Sequence, residues 1–328
     1  MPLVVSIILL LAMRGAAMSD EKPFSSDGNQ EARTSGGIKT LGGRQFWGDV
    51  HFSRGWRIQH NVLNDSYRLL DEKDHRHSSG TIEECKLALQ KICRDTNLPP
   101  MSGKAVVLIH GIGRSSKCFS GMARQLKKDG YTVVCFDYPS TRKPILESAE
   151  YLHQLLLSLE GIETIDVVGH SMGGLVLRGY LMNHMDSRLH RAVMLGVPNK
   201  GAEMADFLKN NPLFKVILGP AGQQLATDTE GLIGKLPRPN FEFGVLAGGR
   251  SAAKGYNPLL PGDNDATVTV SSTRLPGASD FILLPVIHSF LMTDNTAIDA
   301  TRHFLEHGRF GAKRAAEPIS ENDITVIN

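Results

Sequence analysis

The sequence predicts an α/β fold with a mostly parallel central sheet and helices on both of its faces. Two observations carry this expectation. Short β-branched runs alternate with helical patterns from residue 104 onward, and a serine stands between glycines where one such run meets a helix. Strands that alternate with helices are typical of βαβ units, whose strands lie parallel in one sheet.

The composition is that of an ordinary globular protein, and its small net charge limits the classes of partner that we expect. The chain has 328 residues, 41% of them hydrophobic and 21% charged, which fits one large domain or two small ones. The formal net charge of +2 predicts no strong surface field, so nucleic acid is not an expected partner. Composition leaves the oligomeric state open.

The first 44 residues precede the predicted fold. Residues 3–13 are apolar apart from Ser6, and small residues follow at 15–17. Such a run is shorter than the ~20 residues that span a bilayer, and it has the length of a signal-peptide core. We therefore expect a signal peptide at 1–17, a flexible leader at 18–44, and a secreted or periplasmic protein. Because no Lys or Arg precedes the run, a cytoplasmic or membrane-tethered chain is the alternative.

An N-terminal β/α extension is expected at 45–103. Aromatic and apolar residues alternate between 46 and 70, which predicts two or three strands. The capping-box pattern that starts at Thr81 opens a helix before Pro99. We expect this extension to lie at the edge of the main sheet, and a separate binding module is the alternative.

The four cysteines do not decide the redox compartment. Cys85 and Cys93 lie eight residues apart on the predicted helix, hence ~12 Å along its axis, too far for a disulfide. Cys118 and Cys135 complete the set, which lacks metal-ligand spacing, and buried thiols are the simplest interpretation.

The main domain is predicted at 104–308. Its strands are expected at 105–109, 131–136, 191–195, 241–247 and 281–286, with a further one whose end is marked by Ile165, Val167 and Val168. Its helices are expected at 119–128, 144–159, 175–182 and 295–306. Residues 200–238 break the alternation with apolar positions punctuated by Pro and Gly, which predicts a small helical cap or lid, or else ordinary surface helices. The polar tail at 309–328 is expected to fray.

The serine is Ser171, in the pattern Gly169-His-Ser-Met-Gly173 between a strand and a helix. This context is that of a nucleophile held on a sharp, strained turn, with glycines where a Cβ would collide with neighbouring backbone. A serine hydroxyl needs a base, and histidine suits that role because its pKa lies near neutrality.

Three histidines follow or lie beyond the last predicted strand. His288 comes just past the strand end, whereas His303 and His307 fall inside the final helix. The expected chain order of serine, acid and histidine favours His288 as the base. The pair at 303 and 307 has metal-like spacing without an acidic third ligand beside it, so solvated helix positions are expected.

The carboxylate that orients this imidazole is expected after the strand at 241–247. Asp265 is preferred, Asp263 is the reserve, and Asp137 after an earlier strand is a third candidate.

The oxyanion hole needs two backbone donors. Met172 follows the serine and supplies one N–H. Ile112, in the loop His110-Gly111-Ile112-Gly113, supplies the other. His110 and His170 are expected to support the two loops rather than to react.

With these features the chain resembles the bacterial lipase- and esterase-like branch of the α/β-hydrolase superfamily. The resemblance covers about 104–308 and rests on five pieces of sequence, at 107–113, 167–174, 195–201, 264–268 and 286–288. Many such lipases have Asp-Gly where this chain has Asp265-Ala266. Some bind calcium through an aspartate two residues past the catalytic histidine, but Phe290 stands there, so we predict no metal and no cofactor.

The resemblance implies hydrolysis of carboxylic esters, with Ser171 as nucleophile, His288 as base, Asp265 as its orienter, and Ile112 with Met172 as the oxyanion hole. The expected partner is a small-molecule or lipid ester, with transient contact to a lipid surface. Acyl transfer, or deacylation of a complex lipid as in the similar GPI inositol-deacylases, is the alternative. A non-catalytic binding protein of the same fold is the third hypothesis.

Overall fold

The computed structural model describes residues 43–208, 210–228 and 230–324. The signal peptide predicted at 1–17, and all but the last two residues of the leader predicted at 18–44, lie outside this part of the chain. Within it, no helix combines the length and the apolarity that crossing a membrane requires.

The N-terminal unit, residues 43–103, contains a four-stranded antiparallel sheet and one helix. The sequence predicted two or three strands there. Strand β4 was missed because its sequence, RHSSG, has no apolar alternation. The elements are a 3-10 turn (Gly43–Phe46), β1 (Trp47–Ser53), β2 (Trp56–Asn61), β3 (Tyr67–Leu70), β4 (Arg76–Gly80) and α1 (Ile82–Asp95). The predicted capping box opens α1, because the Thr81 hydroxyl accepts from Glu84 N–H and the Glu84 carboxylate accepts from Thr81 N–H.

The central sheet has six strands, and all its neighbouring pairs are parallel. Its strands are β5 (Gly103–Ile109), β6 (Thr132–Phe136), β7 (Ile162–His170), β8 (Leu189–Leu195), β9 (Glu242–Gly248) and β10 (Asp280–Leu284). They lie side by side in the order β10-β9-β8-β7-β5-β6. The predicted fold class is confirmed, and β7, which ends at the motif serine, is an inner strand.

Helices cover both faces of this sheet. They are α2 (Ser120–Lys128), α3 (Ile145–Leu157), α4 (Met172–Asn183), α5 (Glu203–Leu208), α6 (Pro212–Gln223), α7 (Leu232–Lys235), α8 (Val270–Thr273) and α9 (Asn295–His307). Side chains that alternate along the strands enter two hydrophobic clusters: Val107 and Val167 belong to one, and Val106 and Val168 to the other. Burial on both faces explains why the strands read as continuous apolar runs.

The N-terminal strands form a sheet of their own and do not continue the central sheet, whose edge strand on this side is β6. It meets the end of β6 through the hydrogen bond from Asp49 N–H to the Asp137 carbonyl, 2.8 Å. Strand β1 also packs against α3, where an added Cβ on Gly48 would lie 2.5 Å from the ring of Tyr151.

The predicted cap contains three short helices, α5, α6 and α7. Gly219 has φ 60°, which breaks α6 where Pro220 follows. Arg178 on α4 anchors the far end of the cap. Its buried guanidinium donates to the carbonyls of Ile233, Leu236 and Pro237.

Residues 309–324 of the tail are held against the domain and do not fray as the sequence suggested, and the last four residues, 325–328, lie outside the described part of the chain. Phe310 and Ile319 are buried, and the Asp280 carboxylate accepts from the guanidinium of Arg314 at 2.6 Å and from the N–H of Phe310 at 2.7 Å. A few buried anchors in a polar segment are difficult to recognise, because their partner at the start of β10 is distant in sequence.

Candidate active site

Ser171 lies on a sharp turn between β7 and α4. Its backbone has φ 54° and ψ −128°, a conformation that costs a non-glycine residue free energy and that persists because the surroundings impose it. Its N–H donates to the Leu195 carbonyl of β8 at 2.9 Å, and its carbonyl accepts from Gly174 N–H at 3.1 Å. The strained turn that the motif predicted is present.

Gly173 allows the turn to be this tight. A Cβ at this position would lie 2.2 Å from the Ile109 carbonyl oxygen, closer than any Cβ approaches backbone in real proteins. The start of α4 therefore packs directly on the end of β5, and the serine stands at the carboxyl edge of the sheet, where ligands of open α/β sheets bind.

Asp265 and His288 come together at the same edge from two different loops. The Nδ1 of His288 lies 2.7 Å from Oδ2 of Asp265, and both residues are buried. The other carboxylate oxygen accepts from the N–H groups of Thr267 at 3.0 Å and Val268 at 2.7 Å. Backbone ties the loops together as well, since His288 N–H donates to the Asp265 carbonyl at 2.9 Å. The imidazole is thereby held in one orientation.

The reserve candidates have other partners. Asp263 accepts from the N–H groups of Arg250 and Asn264 and so shapes its own loop. Asp137 accepts from Ser116 and contacts Arg57. Nδ1 of His303 donates to the Arg309 carbonyl at 2.7 Å. The ring of His307 lies 4.5 Å from that of His303, and its Nε2 is 3.7 Å from the exposed Glu306 carboxylate. Within the described residues, no group of three or more acidic, histidine or cysteine side chains is arranged to hold a metal ion.

His170 connects the serine turn to the His288 loop. Its Nε2 lies 3.1 Å from the His288 carbonyl oxygen and donates to it, and the two ring centroids are 4.7 Å apart. Burial, with the nearby His288 as a second cause, lowers the pKa of His170 well below its usual value. A neutral His170 therefore places no positive charge beside His288.

The glycine-rich loop, residues 110–114, lies against this turn. An added Cβ on Gly111 would be 3.0 Å from the Cβ of Ser171, which brings the loop's backbone beside the serine. His110 is buried, stacks on Tyr138 at 4.4 Å, and accepts the Tyr138 hydroxyl through its carbonyl at 2.6 Å. Burial lowers the pKa of His110, consistent with the supporting role predicted for it. Ile112 and Met172 stay predicted oxyanion donors, and Met172 is the first residue of α4, where N–H groups have no intrahelical acceptor.

Two residues near the site were not singled out from the sequence. Arg178 reads as an ordinary helix arginine, and burial lowers its pKa to about 10. Gln45 lies in a segment without a recognisable pattern, yet it reaches the glycine-rich loop. Only a contact between distant parts of the chain distinguishes either residue.

A family model described as alpha/beta hydrolase fold matches residues 104–242, which include the glycine-rich loop and the serine turn. A fluoroacetate dehalogenase of a Burkholderia species is 29% identical over 171 residues, 48% of this chain and 55% of that protein. A lysosomal thioesterase of Xenopus laevis is 27% identical over 110 residues, 31% of this chain and 38% of that protein. The matches thus span about half or less of these relatives.

Solved structures are similar to parts of this chain at lower identity. A mature lipase of Bacillus licheniformis has a TM-score of 0.48 and 22% identity, covering 65% of this chain and 95% of that one. A phospholipase of Legionella pneumophila has a TM-score of 0.49 and 15% identity, covering 68% of this chain and 62% of that one.

Proposed function

We propose that this chain, whose residues 104–242 match the alpha/beta hydrolase fold model, is a serine hydrolase that cleaves carboxylic esters. The observation that carries the proposal is the 2.7 Å contact between Asp265 and His288, at the sheet edge where Ser171 stands on its strained turn.

The proposed reaction begins at the Ser171 hydroxyl. The oxygen attacks the ester carbonyl carbon while Nε2 of His288 takes the hydroxyl proton. Asp265 stabilises the resulting imidazolium through Nδ1. The carbonyl oxygen becomes an oxyanion, for which the N–H groups of Met172 and Ile112 are the proposed donors.

Collapse of this tetrahedral species breaks the ester C–O bond. The leaving alkoxide takes the proton from His288 and departs as the alcohol, leaving the acyl group on Ser171. A water molecule then gives its proton to His288 and attacks the acyl carbon. The carboxylic acid leaves, and the hydroxyl of Ser171 is regenerated.

Features of the cap favour a substrate with an apolar acyl group. The backbone of Gly222 on α6 lies beside Ile112, since an added Cβ there would be 3.6 Å from Ile112 Cδ1. Phe207 and Val216 are 63% and 69% exposed on the same cap. Exposed apolar surface on the cap favours contact with lipid, so we propose a lipid ester and a transient lipid-surface contact.

The test is Ser171→Ala, assayed with p-nitrophenyl esters of two to twelve carbons. Turnover should fall by about 10⁶-fold, because the serine and its base act as one unit. Ser79→Ala, an exposed serine on β4, is the matched control and should keep full activity. Equal turnover of Ser171→Ala and wild type would refute the proposal.

Two further assays decide between the remaining candidates. The thioesterase match makes an acyl-thioester substrate worth including beside the oxygen esters. Product analysis with an added alcohol separates hydrolysis from acyl transfer. A fluorophosphonate probe that fails to label the folded protein would favour a non-catalytic binding protein. Preference for acetyl over octanoyl esters would count against a lipid substrate.

A further inference from the structure

The side chain of Gln45 crosses from the N-terminal unit to the glycine-rich loop. Its Nε2 donates to the Arg114 carbonyl at 2.7 Å. Its Oε1 accepts from the hydroxyl of Ser140 at 2.8 Å, and that hydroxyl in turn accepts from Gly113 N–H at 3.1 Å. Ser140 is fully buried. One amide group therefore holds residues 113 and 114, directly after the proposed oxyanion donor at 112.

A second connection holds the chain just past this loop. Oδ2 of Asp49 on β1 accepts from Asp137 N–H, and Asp49 N–H donates to the Asp137 carbonyl, each at 2.8 Å. The Asp137 carboxylate accepts from Ser116 N–H at 2.7 Å and from its hydroxyl at 2.8 Å. Arg57 of β2 lies 3.2 Å from the same carboxylate. Residue 116 is thereby fixed to the N-terminal unit as well.

We propose that the N-terminal unit holds the oxyanion hole in its working geometry, with Gln45 as the positioning residue; this rests on the hydrolase function proposed above. The loop contains Gly111 and Gly113, and glycine has the largest backbone freedom of any residue. A donor N–H stabilises a developing oxyanion only when it is already aimed at it, and a displacement of ~1 Å can cost ~10²-fold in rate. External hydrogen bonds supply the rigidity that the loop's own sequence does not.

A glutamine is required because both halves of the amide are used. Alanine removes the donor and the acceptor together. Glutamate keeps the acceptor but places a carboxylate oxygen against the Arg114 carbonyl, where neither atom can donate. Alanine therefore releases residues 113 and 114, whereas glutamate releases residue 114 alone, and neither substitution touches Ser171, His288 or Asp265.

The experiment compares Gln45→Ala with wild type in full kinetics on the best p-nitrophenyl ester. We expect kcat to fall by about tenfold, with KM changed less than twofold, because the hole acts mainly on the transition state. The inhibition constant of an alkylboronic acid, whose tetrahedral serine adduct carries an oxygen into the hole, should rise in parallel. Gln90→Ala, an exposed glutamine on α1 of the same unit, is the matched control and should match wild type.

A double-mutant cycle with Ser140→Ala separates positioning from loss of fold. Because Ser140 connects Gly113 to Gln45 and Gln45 alone also holds Arg114, the double variant should lose little more activity than Gln45→Ala by itself. Thermal unfolding of each variant, followed by circular dichroism, verifies that the compared proteins are folded.

The outcomes are distinct. If wild type hydrolyses no ester and Ser171 takes no fluorophosphonate label, the proposed function fails. If wild type is active and folded Gln45→Ala keeps its kcat and boronic-acid affinity, the function stands and the positioning role is overturned. Additive losses in the double variant would likewise overturn the shared link.

Discussion

Ala266, beside the proposed catalytic carboxylate, has a backbone conformation that favours glycine. Its φ is 82°, and it follows Asp265 in the loop that aims the carboxylate at His288. Many lipases of the branch that this chain resembles have Asp-Gly where this chain has Asp265-Ala266. The structure shows the physical consequence of that difference, since a Cβ in the left-handed region costs roughly 1–2 kcal/mol.

We expect Ala266→Gly to stabilise the protein. The greater freedom of glycine in the unfolded chain lowers stability by ~0.5–1 kcal/mol, and the relief of backbone strain should exceed that loss. The expected net gain in the free energy of unfolding is about 0.5–1 kcal/mol. Urea unfolding measures this. Ala252→Gly, on the same connection but outside the residues with positive φ, should give no gain. A loss of stability in Ala266→Gly would mean that its surroundings, not its backbone, set the cost.

At the scale of elements, the contact of α4 with the end of β5 determines where the serine stands. Two glycines of α4 have opposite surroundings. An added Cβ on Gly173 meets the backbone oxygen of Ile109 at 2.2 Å, whereas one on Gly179 meets side-chain atoms of Ala149 and Leu146 at 3.4 Å. Backbone cannot yield cheaply in a packed interior, but side chains at ordinary contact distance can.

Gly173→Ala and Gly179→Ala should therefore differ in sign. The first forces α4 away from β5 and should destabilise the protein by about 3 kcal/mol or more, as overpacking against rigid neighbours does. The second replaces an interior helix glycine and should be neutral or stabilise by up to ~1 kcal/mol. Chemical denaturation of the two variants side by side provides the measurement, and similar losses in both would contradict the assignment of the close contact.

At the scale of the whole molecule, buried charges join parts of the chain that are distant in sequence. Arg314 on Asp280 fastens the C-terminal tail to β10. Asp49 lies fully buried where the N-terminal sheet meets β6, close to Arg57 and Asp137. Burial raises the pKa of Asp49 to about 7, and Arg57 offsets that rise only in part.

The raised pKa of Asp49 predicts a pH dependence with a definite sign. The folded protein holds this proton up to about pH 7, whereas the unfolded chain releases it near pH 4. The stabilising contribution of Asp49 is thus complete below pH 4 and is lost as the pH rises towards 7. Asp49→Asn does not titrate, so its stability relative to wild type should improve between pH 4.5 and pH 7.5. Unfolding curves measured at four pH values in this interval test the sign. A stability difference between Asp49→Asn and wild type that stays constant over the interval would exclude a raised pKa of Asp49.

The sequence predicted most of the central sheet because its signals are local. Strands that are buried on both faces have apolar β-branched sequences, and the flanking residues Gly169 and Gly173 indicate the strained turn at Ser171. The same reasoning missed β4, whose residues are polar, and expected a frayed tail where Phe310 and Ile319 are buried. In these places a few contacts with distant residues outweigh the local pattern.

The candidate site divides in the same way. Residue type and chain order were enough to propose Ser171, Asp265 and His288, because the chemistry of acyl transfer requires a nucleophile, a base and an orienting acid in a recognisable context. Those signals left Asp263 and Asp137 as reserve candidates for the orienting carboxylate. The contacts in the structure separate the three, because Asp265 lies beside His288 and the other two carboxylates bind groups elsewhere.

By itself, therefore, the sequence determined the fold class, the serine turn and the residue types of the proposed site, since each depends on propensity or on a spacing of a few residues. Tertiary structure decided the pairing of Asp265 with His288, the anchoring of the tail and the reach of Gln45 to the glycine-rich loop. These are contacts between residues 23 to 69 positions apart, and no local preference encodes which distant groups will meet when the core closes.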